Sequence, residues 1–229
     1  MQRDYTLAAP GAVVAGDRHR VLRNTYLLLA LTLIPTAVGA TIGMNLNLGF
    51  MRASPIVTSI AILAIFYGWI FAIERNKNST LGLGLLLGFT LFMGLLLGPL
   101  LQVALGLSNG GQLVTLAAGG TAATFFGLAT VATTTKRDFS FLGNFLLVGV
   151  IVVMLAVVAN IFLQSPLLHL VLCGVFVLIS SMLILYQLSA IVNGGETNYV
   201  SATLSIYIGV YNLFTSLLQL LMAFMGERE

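Results

Sequence analysis

The sequence predicts an all-α integral membrane protein with seven transmembrane helices, and this prediction depends on composition and on the spacing of charge. Hydrophobic residues make up 59% of the chain and charged residues only 7%, whereas an average soluble domain carries roughly 25% charged residues. A water-soluble fold could not cover its surface with so few charges, but a lipid bilayer solvates apolar side chains. The few charges also leave five long uncharged stretches between them.

These uncharged stretches set the number of spans, because a helix that crosses the hydrocarbon core needs about 20 apolar residues. Three of them, 24–51, 53–73 and 197–226, hold one span each. The other two, 78–135 and 139–195, hold two spans each, divided where Gly, Ser, Asn, Gln or Pro residues interrupt the apolar run. The predicted spans are 25–47, 55–73, 80–105, 113–134, 141–163, 167–191 and 200–224.

The N-terminal segment 1–22 combines Gly, Ala, Pro10 and charged residues without an apolar period. We predict that it is a flexible cytosolic tail. Residues 23–229 then form a single membrane domain, because no connection between the predicted spans is long enough to fold as a soluble domain.

The basic residues predict the orientation of the chain. An excess of Lys and Arg marks the cytoplasmic side of a membrane protein, and eight of the ten basic residues fall on the side of the N-terminus. The N-terminus is therefore predicted inside and the C-terminus, after seven spans, outside. The same bias accounts for the net charge of +3, and no nucleic-acid partner is expected. The eight residues are Arg3, Arg18, Arg20, Arg23, Arg75, Lys77, Lys136 and Arg137, and the other two are Arg52 and Arg228.

The third span is rich in glycine. Gly84 with Gly88, and Gly94 with Gly98, form two G-x-x-x-G pairs, followed directly by Pro99. Small residues four apart lie on one face and allow two membrane helices to approach closely, so these pairs predict helix packing. A hinge near Pro99 is the alternative, because proline removes a helical hydrogen bond.

The seventh span carries a regular polar pattern. Five of its small or polar residues, here called the polar stripe, are spaced by four, three, four and three positions, which places them on one helix face. Unpaired polar groups that face lipid cost free energy, so the stripe should face the bundle interior and the seventh helix should be central. Hydrogen bonding between helices and a water-lined cavity both remain open as its role. The stripe consists of Ser205, Gly209, Asn212, Ser216 and Gln219.

The spans carry no set of residues that predicts catalysis or metal binding. The G-x-S-x-G match at 106–110 falls in a short loop between apolar segments and not on a strand-to-helix turn. His169 has no second histidine near it in the sequence, so it is interpreted as a hydrogen-bonded interface residue and not as a zinc ligand. Paired carboxylates are also missing from the predicted spans. We therefore expect neither an enzyme nor a bound cofactor or metal.

The run T-T-K-R-D-F-S-F-L-G at 134–143 is the most specific of several distinctive runs in the sequence. Together these runs resemble the Bax inhibitor family of seven-helix membrane proteins, and most closely its bacterial YccA-like branch, which includes a modulator of the FtsH membrane protease. The resemblance implies an inner-membrane protein in which six helices surround a central C-terminal helix, in agreement with the polar stripe. The other runs are 21–26, 119–122, 160–163 with Asn160, 168–169, 194–199 and 211–214.

Many members of this family carry two aspartates, in the sixth and seventh helices, which are associated with a pH-sensitive calcium leak. The corresponding positions in this sequence are Gln187, after Tyr186, and Gly209. Neither residue can ionise, whereas a close carboxylate pair shares a proton and thereby senses pH. Carboxylate oxygens are also the ligands that Ca²⁺ prefers. A pH-gated calcium leak is therefore expected to be absent or much altered.

Two functions follow from these observations. The resemblance implies an interaction protein that binds an FtsH-type membrane-anchored AAA protease and modulates it. Lys136, Arg137, Asp138 and Glu196 in the cytosolic connections are either helix-end anchors or a docking surface for that partner. The alternative is a cation or proton leak channel, for which the polar stripe, Gln187 and His169 are the candidate residues.

Overall fold

The computed structural model describes residues 10–46, 55–135 and 137–227, and these residues form seven α-helices connected by short loops. All seven are long and apolar enough to cross a membrane, which confirms the predicted fold class and number of spans. The helices are α1 (Pro10–Asn45), α2 (Pro55–Arg75), α3 (Thr80–Leu105), α4 (Gly110–Thr134), α5 (Leu142–Leu163), α6 (Pro166–Asn193) and α7 (Tyr199–Met225).

Helix α1 begins within the segment that was predicted as a tail. It starts at Pro10, and proline is favoured in the first helical turn because it lacks the N–H that would remain unpaired there. The residues that follow include no helix breaker apart from Gly11 and Gly16. Residues 10–22 therefore extend the first membrane-spanning helix towards the N-terminus. Residues 1–9 lie outside the described residues, and a cytosolic location of this end stays a prediction.

Helix α7 is the central element of the bundle. It packs against α1, α3, α4 and α6, whereas α2 packs against α3 and α5 against α6. Ile206, Leu213 and Leu218 are fully buried along its length. The prediction of a central C-terminal helix is confirmed, and the physical reason is the one given above, since a helix with polar groups on one face is shielded from lipid at the centre of a bundle.

The closest helix contact joins α1 and α3 through glycine. A Cβ atom placed on Gly94 or Gly98 would fall well inside van der Waals distance of α1 backbone atoms, and one on Gly39 or Gly43 would do the same against α3. Pro99 also contributes to this close contact. It has no N–H group, so the Leu95 carbonyl is left without its helical hydrogen-bond donor. The Gly43 backbone lies directly against that carbonyl oxygen.

The two G-x-x-x-G pairs of α3 therefore have different roles. The pair Gly94 and Gly98 mediates helix packing as predicted. For the pair Gly84 and Gly88 the packing prediction is wrong in part: no atom lies within 4 Å of a Cβ built on Gly84, and the nearest atom to one on Gly88 belongs to the Trp69 side chain. Helix α3 continues past Pro99 to Leu105.

Candidate functional site

The polar stripe of α7 faces α6, within the bundle. Gly209 and Ser216 are buried, and the other three residues of the stripe are half-buried. A Cβ atom on Gly209 would lie 2.8 Å from Ile184 Cγ1 and 3.5 Å from the Ser180 carbonyl oxygen, both on α6. The burial of Gly209 and Ser216 agrees with the expectation that the stripe points into the bundle.

The stripe ends in a hydrogen bond between helices. His169 Nε2 of α6 lies 2.8 Å from Gln219 Oε1 of α7. The Gln219 amide nitrogen donates to the Thr215 carbonyl at 3.0 Å, so its oxygen faces the imidazole, which donates through Nε2. His169 is the interface residue that the sequence predicts, and the role of the stripe as a hydrogen-bonding face is supported at this end.

The two positions of the aspartate pair lie on the same pair of helices. Gln187 is buried on α6, one turn after Ile184, the residue that covers Gly209 of α7. Both positions therefore belong to the α6–α7 interface, and the space beside Gly209 is already filled by Ile184. The described structure thus has no room for an acidic side chain at position 209 unless Ile184 moves.

A cavity of about 710 Å³ lies on a different face of α7. We call it the lateral groove; its walls are α1 and α4, and its floor includes Tyr207, Val210 and Tyr211 of α7. Its lining contains no residue of the polar stripe. The alternative in which the stripe lines a water-filled cavity is therefore not supported by this groove, which is mainly apolar.

Asn160, the remaining in-membrane polar residue, closes the turn between α5 and α6. Its side-chain oxygen accepts from the Ser165 N–H at 3.2 Å, and its carbonyl accepts from the Gln164 N–H at 2.8 Å. Gln164 adopts a left-handed conformation with φ 49°, which these two bonds support. Asn160 is therefore a structural residue of the turn.

At the end of α7 predicted to be cytosolic, Asn198 joins two loops. Its side-chain oxygen caps α7 by accepting from the Val200 and Ser201 N–H groups at 2.9 and 3.1 Å. Its amide nitrogen donates to Asn78 Oδ1 at 2.7 Å and to the Lys77 carbonyl at 3.3 Å. The sequence analysis missed this residue, although an Asn that directly precedes an apolar helical run is a recognisable N-cap signal.

Charged residues surround this cap. Glu74 accepts from the Ser201 hydroxyl at 3.0 Å and pairs with Lys77 at 3.1 Å. The hydrogen bond and charge of Glu74, with a smaller contribution from Glu196, raise the pKa of Lys77. The Glu74–Ser201 hydrogen bond thus joins the end of α2 to the start of α7, beside the contacts that Asn198 makes.

The four candidate docking residues fall on two neighbouring loops. Lys136 lies outside the described residues, and Arg137 is exposed. Asp138 accepts from the backbone and hydroxyl of Ser140, which lowers the pKa of its carboxyl. Glu196 accepts from the Asn198 N–H at 2.7 Å. Two of the four therefore have local structural roles, which agrees with the helix-end interpretation; whether they also bind a partner stays a prediction.

Both loops are anchored at the end of α6. Ser189 Oγ accepts from the Phe139 N–H at 3.3 Å and from the Asn193 side chain at 3.0 Å. A Cβ atom on Gly194 would approach the Arg18 guanidinium, so α1 also reaches this corner. These contacts form one continuous polar surface at this end of the bundle.

We expect Asn198→Ala to destabilise the protein by about 1–2 kcal/mol, because it removes an N-cap and two bonds between loops. Asn198→Asp is the matched variant, since its carboxylate keeps the cap but cannot donate to Asn78 or Lys77. Thermal unfolding in detergent should therefore place Asn198→Asp between the wild type and Asn198→Ala. Equal melting temperatures for all three proteins would show that Asn198 does not stabilise this end.

Comparison with known proteins gives consistent matches over nearly the whole chain. Residues 18–226 match the family described as "Inhibitor of apoptosis-promoting Bax1". An Escherichia coli K12 protein named "Modulator of FtsH protease YccA" is 45% identical over 89% of this chain and 90% of its own length. An uncharacterised protein of Neisseria meningitidis serogroup A is 42% identical over 92% of this chain and 94% of its own. An uncharacterised membrane protein of Vibrio cholerae is 41% identical over 90% of both chains.

Proposed function

The chain belongs to the Bax inhibitor family, and from this premise we propose that it binds an FtsH-type membrane protease and modulates the turnover of other membrane proteins by that protease. The observation that carries the proposal is the E. coli relative, whose name is that of an FtsH modulator and which matches 89% of the chain at 45% identity. The family match, residues 18–226, extends from helix α1 to the end of helix α7 and includes the loops between the helices.

The proposal assigns the protein an interaction role without catalysis. The relatives with descriptive names are called a modulator or membrane proteins, and the family description names an inhibitor. Within the stripe, Gln219 forms a hydrogen bond to His169 of the neighbouring helix α6. We place the protein in the bacterial inner membrane with its N-terminus in the cytosol, because the basic residues gather at that end.

The docking surface in this proposal is the polar corner at the end of α6. It combines the exposed Arg137 with Asp138 and Glu196, and it is held in shape by Ser189 and Asn198. Fixed loops with exposed charge are suited to specific contacts, because charge complementarity favours one partner over others. The neighbouring Lys136 belongs to the same loop by sequence.

Affinity purification from native membranes in mild detergent tests this function. We expect the protease to copurify with the wild type, and deletion of the gene to change the half-life of a membrane substrate of the protease. Arg137→Glu should lower protease recovery several-fold, since charge reversal at an interface costs affinity and association rate. Arg75→Glu, which alters an exposed basic residue at the same end of the bundle, is the control.

The proposal is wrong if the protease is absent from the purified material and substrate half-lives do not change after deletion. An equal loss of protease recovery in Arg137→Glu and Arg75→Glu would instead show that the α4–α5 loop is not the docking surface. A cation or proton leak is the alternative function, and the same purified protein in liposomes measures it directly. A leak of this kind would need an open path along the α6–α7 interface. Ile184 fills the space beside Gly209 in that interface.

A further inference from the structure

We propose that the lateral groove between α1 and α4 binds one acyl chain of an anionic phospholipid, whose headgroup lies at the end of the bundle that carries Arg23 and Arg137. The groove itself is separate from the proposed protease contact, and Arg137 is the one residue that belongs to both proposals. It rests on the shape of the groove, on the pairing of its hydroxyl groups and on the charge at its mouth.

The groove opens sideways towards the bilayer. Leu33 of α1 and Phe126 of α4 line it, and they are 51% and 67% exposed. On its inner side it reaches Leu97 of α3 and Tyr207 of α7, which are 7% and 2% exposed. A volume of about 710 Å³ falls within the range of ligand sites in proteins. Because a groove of this depth faces hydrocarbon, the molecules available to fill it are lipids.

Of the seven lining residues that carry a hydroxyl group, all except Tyr26 form hydrogen bonds within the protein. Thr121, Thr130 and Thr133 donate to carbonyls of their own helix at 2.7 to 2.8 Å. Tyr211 donates to the Met93 carbonyl at 3.1 Å. Thr36 and Tyr207 bond to each other at 2.8 Å, and each also lies within reach of a backbone carbonyl.

Hydroxyl groups that already form hydrogen bonds within the protein have little remaining capacity to bind a polar ligand or a chain of water molecules. The rest of the lining is alanine, leucine, valine and aromatic rings. An aliphatic chain gains from burial against such a surface without needing a hydrogen bond. The chemistry of the lining therefore selects an acyl chain over a polar solute.

A contact between the two walls argues against a transmembrane helix as the occupant. The rings of Tyr26 and Phe125, one from each wall, have centroids 6.0 Å apart. Edge-to-face rings at this distance are in contact, so the two walls meet at this level and a helix about 10–12 Å across cannot enter there; the acyl chain lies along the groove beside this contact. A second copy of the chain or a partner helix could therefore lie only over the opening, not within it.

Two exposed arginines lie at the end of the bundle beyond the groove residues of α1 and α4, and Asp138 is next to one of them. Arg23 is exposed and lies two helical turns before Ala30 on the same face of α1, and Ala30 lines the groove. Arg137 is exposed just beyond the end of α4, whose last turns include the groove residues Thr130 and Thr133. Helices α1 and α4 cross in opposite directions, so both arginines are at the same end. Two guanidinium groups there complement a phosphate headgroup.

Native mass spectrometry of the purified protein in detergent, titrated with phosphatidylglycerol or phosphatidylcholine of equal chain length, tests the site. We expect one tightly retained lipid, with phosphatidylglycerol preferred. Ala122→Trp fills the groove and should lower lipid retention at least ~tenfold, through loss of buried apolar contact. Ala123→Trp is the matched control, because Ala123 is exposed on the next position of α4 but does not line the groove.

The charge at the mouth is tested separately. Arg23→Gln should reduce the preference for phosphatidylglycerol roughly fivefold, since a basic residue near a membrane surface contributes about 1 kcal/mol with anionic lipid. Arg75→Gln should leave the preference unchanged. If Ala122→Trp does not fold, Ala30→Trp blocks the groove from the opposite wall and gives the same readout.

Three results would overturn the proposal. The first is equal lipid retention by wild type, Ala122→Trp and Ala30→Trp, which would mean that only bulk lipid associates. The second is equal affinity for both headgroups in the wild type. The third is retention of a second protein chain in place of lipid, with loss of that chain in the groove variants.

Discussion

Gly98→Ala should abolish most of the folded protein, although it adds only one methyl group. The new Cβ would overlap the Gly43 backbone of α1, and neither helix backbone can yield without separating the α1–α3 contact. Overpacking of a tight interface typically costs about 1–3 kcal/mol, and here the atoms that would have to move belong to main chain, so we expect the upper end of this range or more. Thermal unfolding in detergent and the level of protein in the membrane both measure the effect.

Gly84→Ala is the matched control. It makes the same change on the same helix, 14 residues before Gly98, at a position where a Cβ has no atom within 4 Å. Alanine has a higher helix propensity than glycine by about 1 kcal/mol, so this variant should be as stable as the wild type or more stable. Similar melting temperatures for Gly84→Ala and Gly98→Ala would show that α1 and α3 do not approach as closely as the structure describes.

Gly209→Asp should also strongly destabilise the protein, for two reasons. Its Cβ would lie 2.8 Å from Ile184 Cγ1, and its carboxylate would enter the interior of the bundle. An ionisable group within a membrane helix costs about 2.5–3.5 kcal/mol at the helix centre. Gln187→Asp alone should be milder, because the shorter side chain occupies space that the glutamine already fills.

This prediction connects to the leak-channel alternative. Ile184→Ala combined with Gln187→Asp and Gly209→Asp removes the clash and places two carboxylates at the family positions. Such a pair binds one proton more tightly than an isolated carboxylate, so flux of Ca²⁺ or protons through liposomes should depend on pH in this variant. The wild type should show no pH-dependent flux between acidic and neutral conditions.

The control for these experiments is Ile184→Ala alone, which opens the same space without adding charge. We expect it to lose stability through its cavity, by about 2–5 kcal/mol for a buried isoleucine, and to show no pH-dependent flux. A wild type that already conducts with a pH dependence would refute the inference drawn from Gln187 and Gly209. A folded triple variant that remains impermeable would show that the pair is not sufficient for a leak in this chain.

The sequence by itself determined the number of spans, their approximate ends and the inward direction of the polar stripe. The spans 80–105 and 141–163 agree with helices Thr80–Leu105 and Leu142–Leu163 to within a residue. These features are local, because the bilayer imposes the same requirement on every segment whatever surrounds it. The resemblance added the family, which the comparisons confirm.

Only the tertiary structure decided which helix faces meet. It assigned close packing to Gly94 and Gly98 but not to Gly84, placed the cavity away from the polar stripe, and joined the loops through Asn198. The reason is physical: in lipid one apolar helix face is as well solvated as another, so partners are chosen by shape and by a few hydrogen bonds. Those depend on residues far apart in the chain, such as Gly43 with Gly98 and His169 with Gln219, and no periodicity within one helix encodes them.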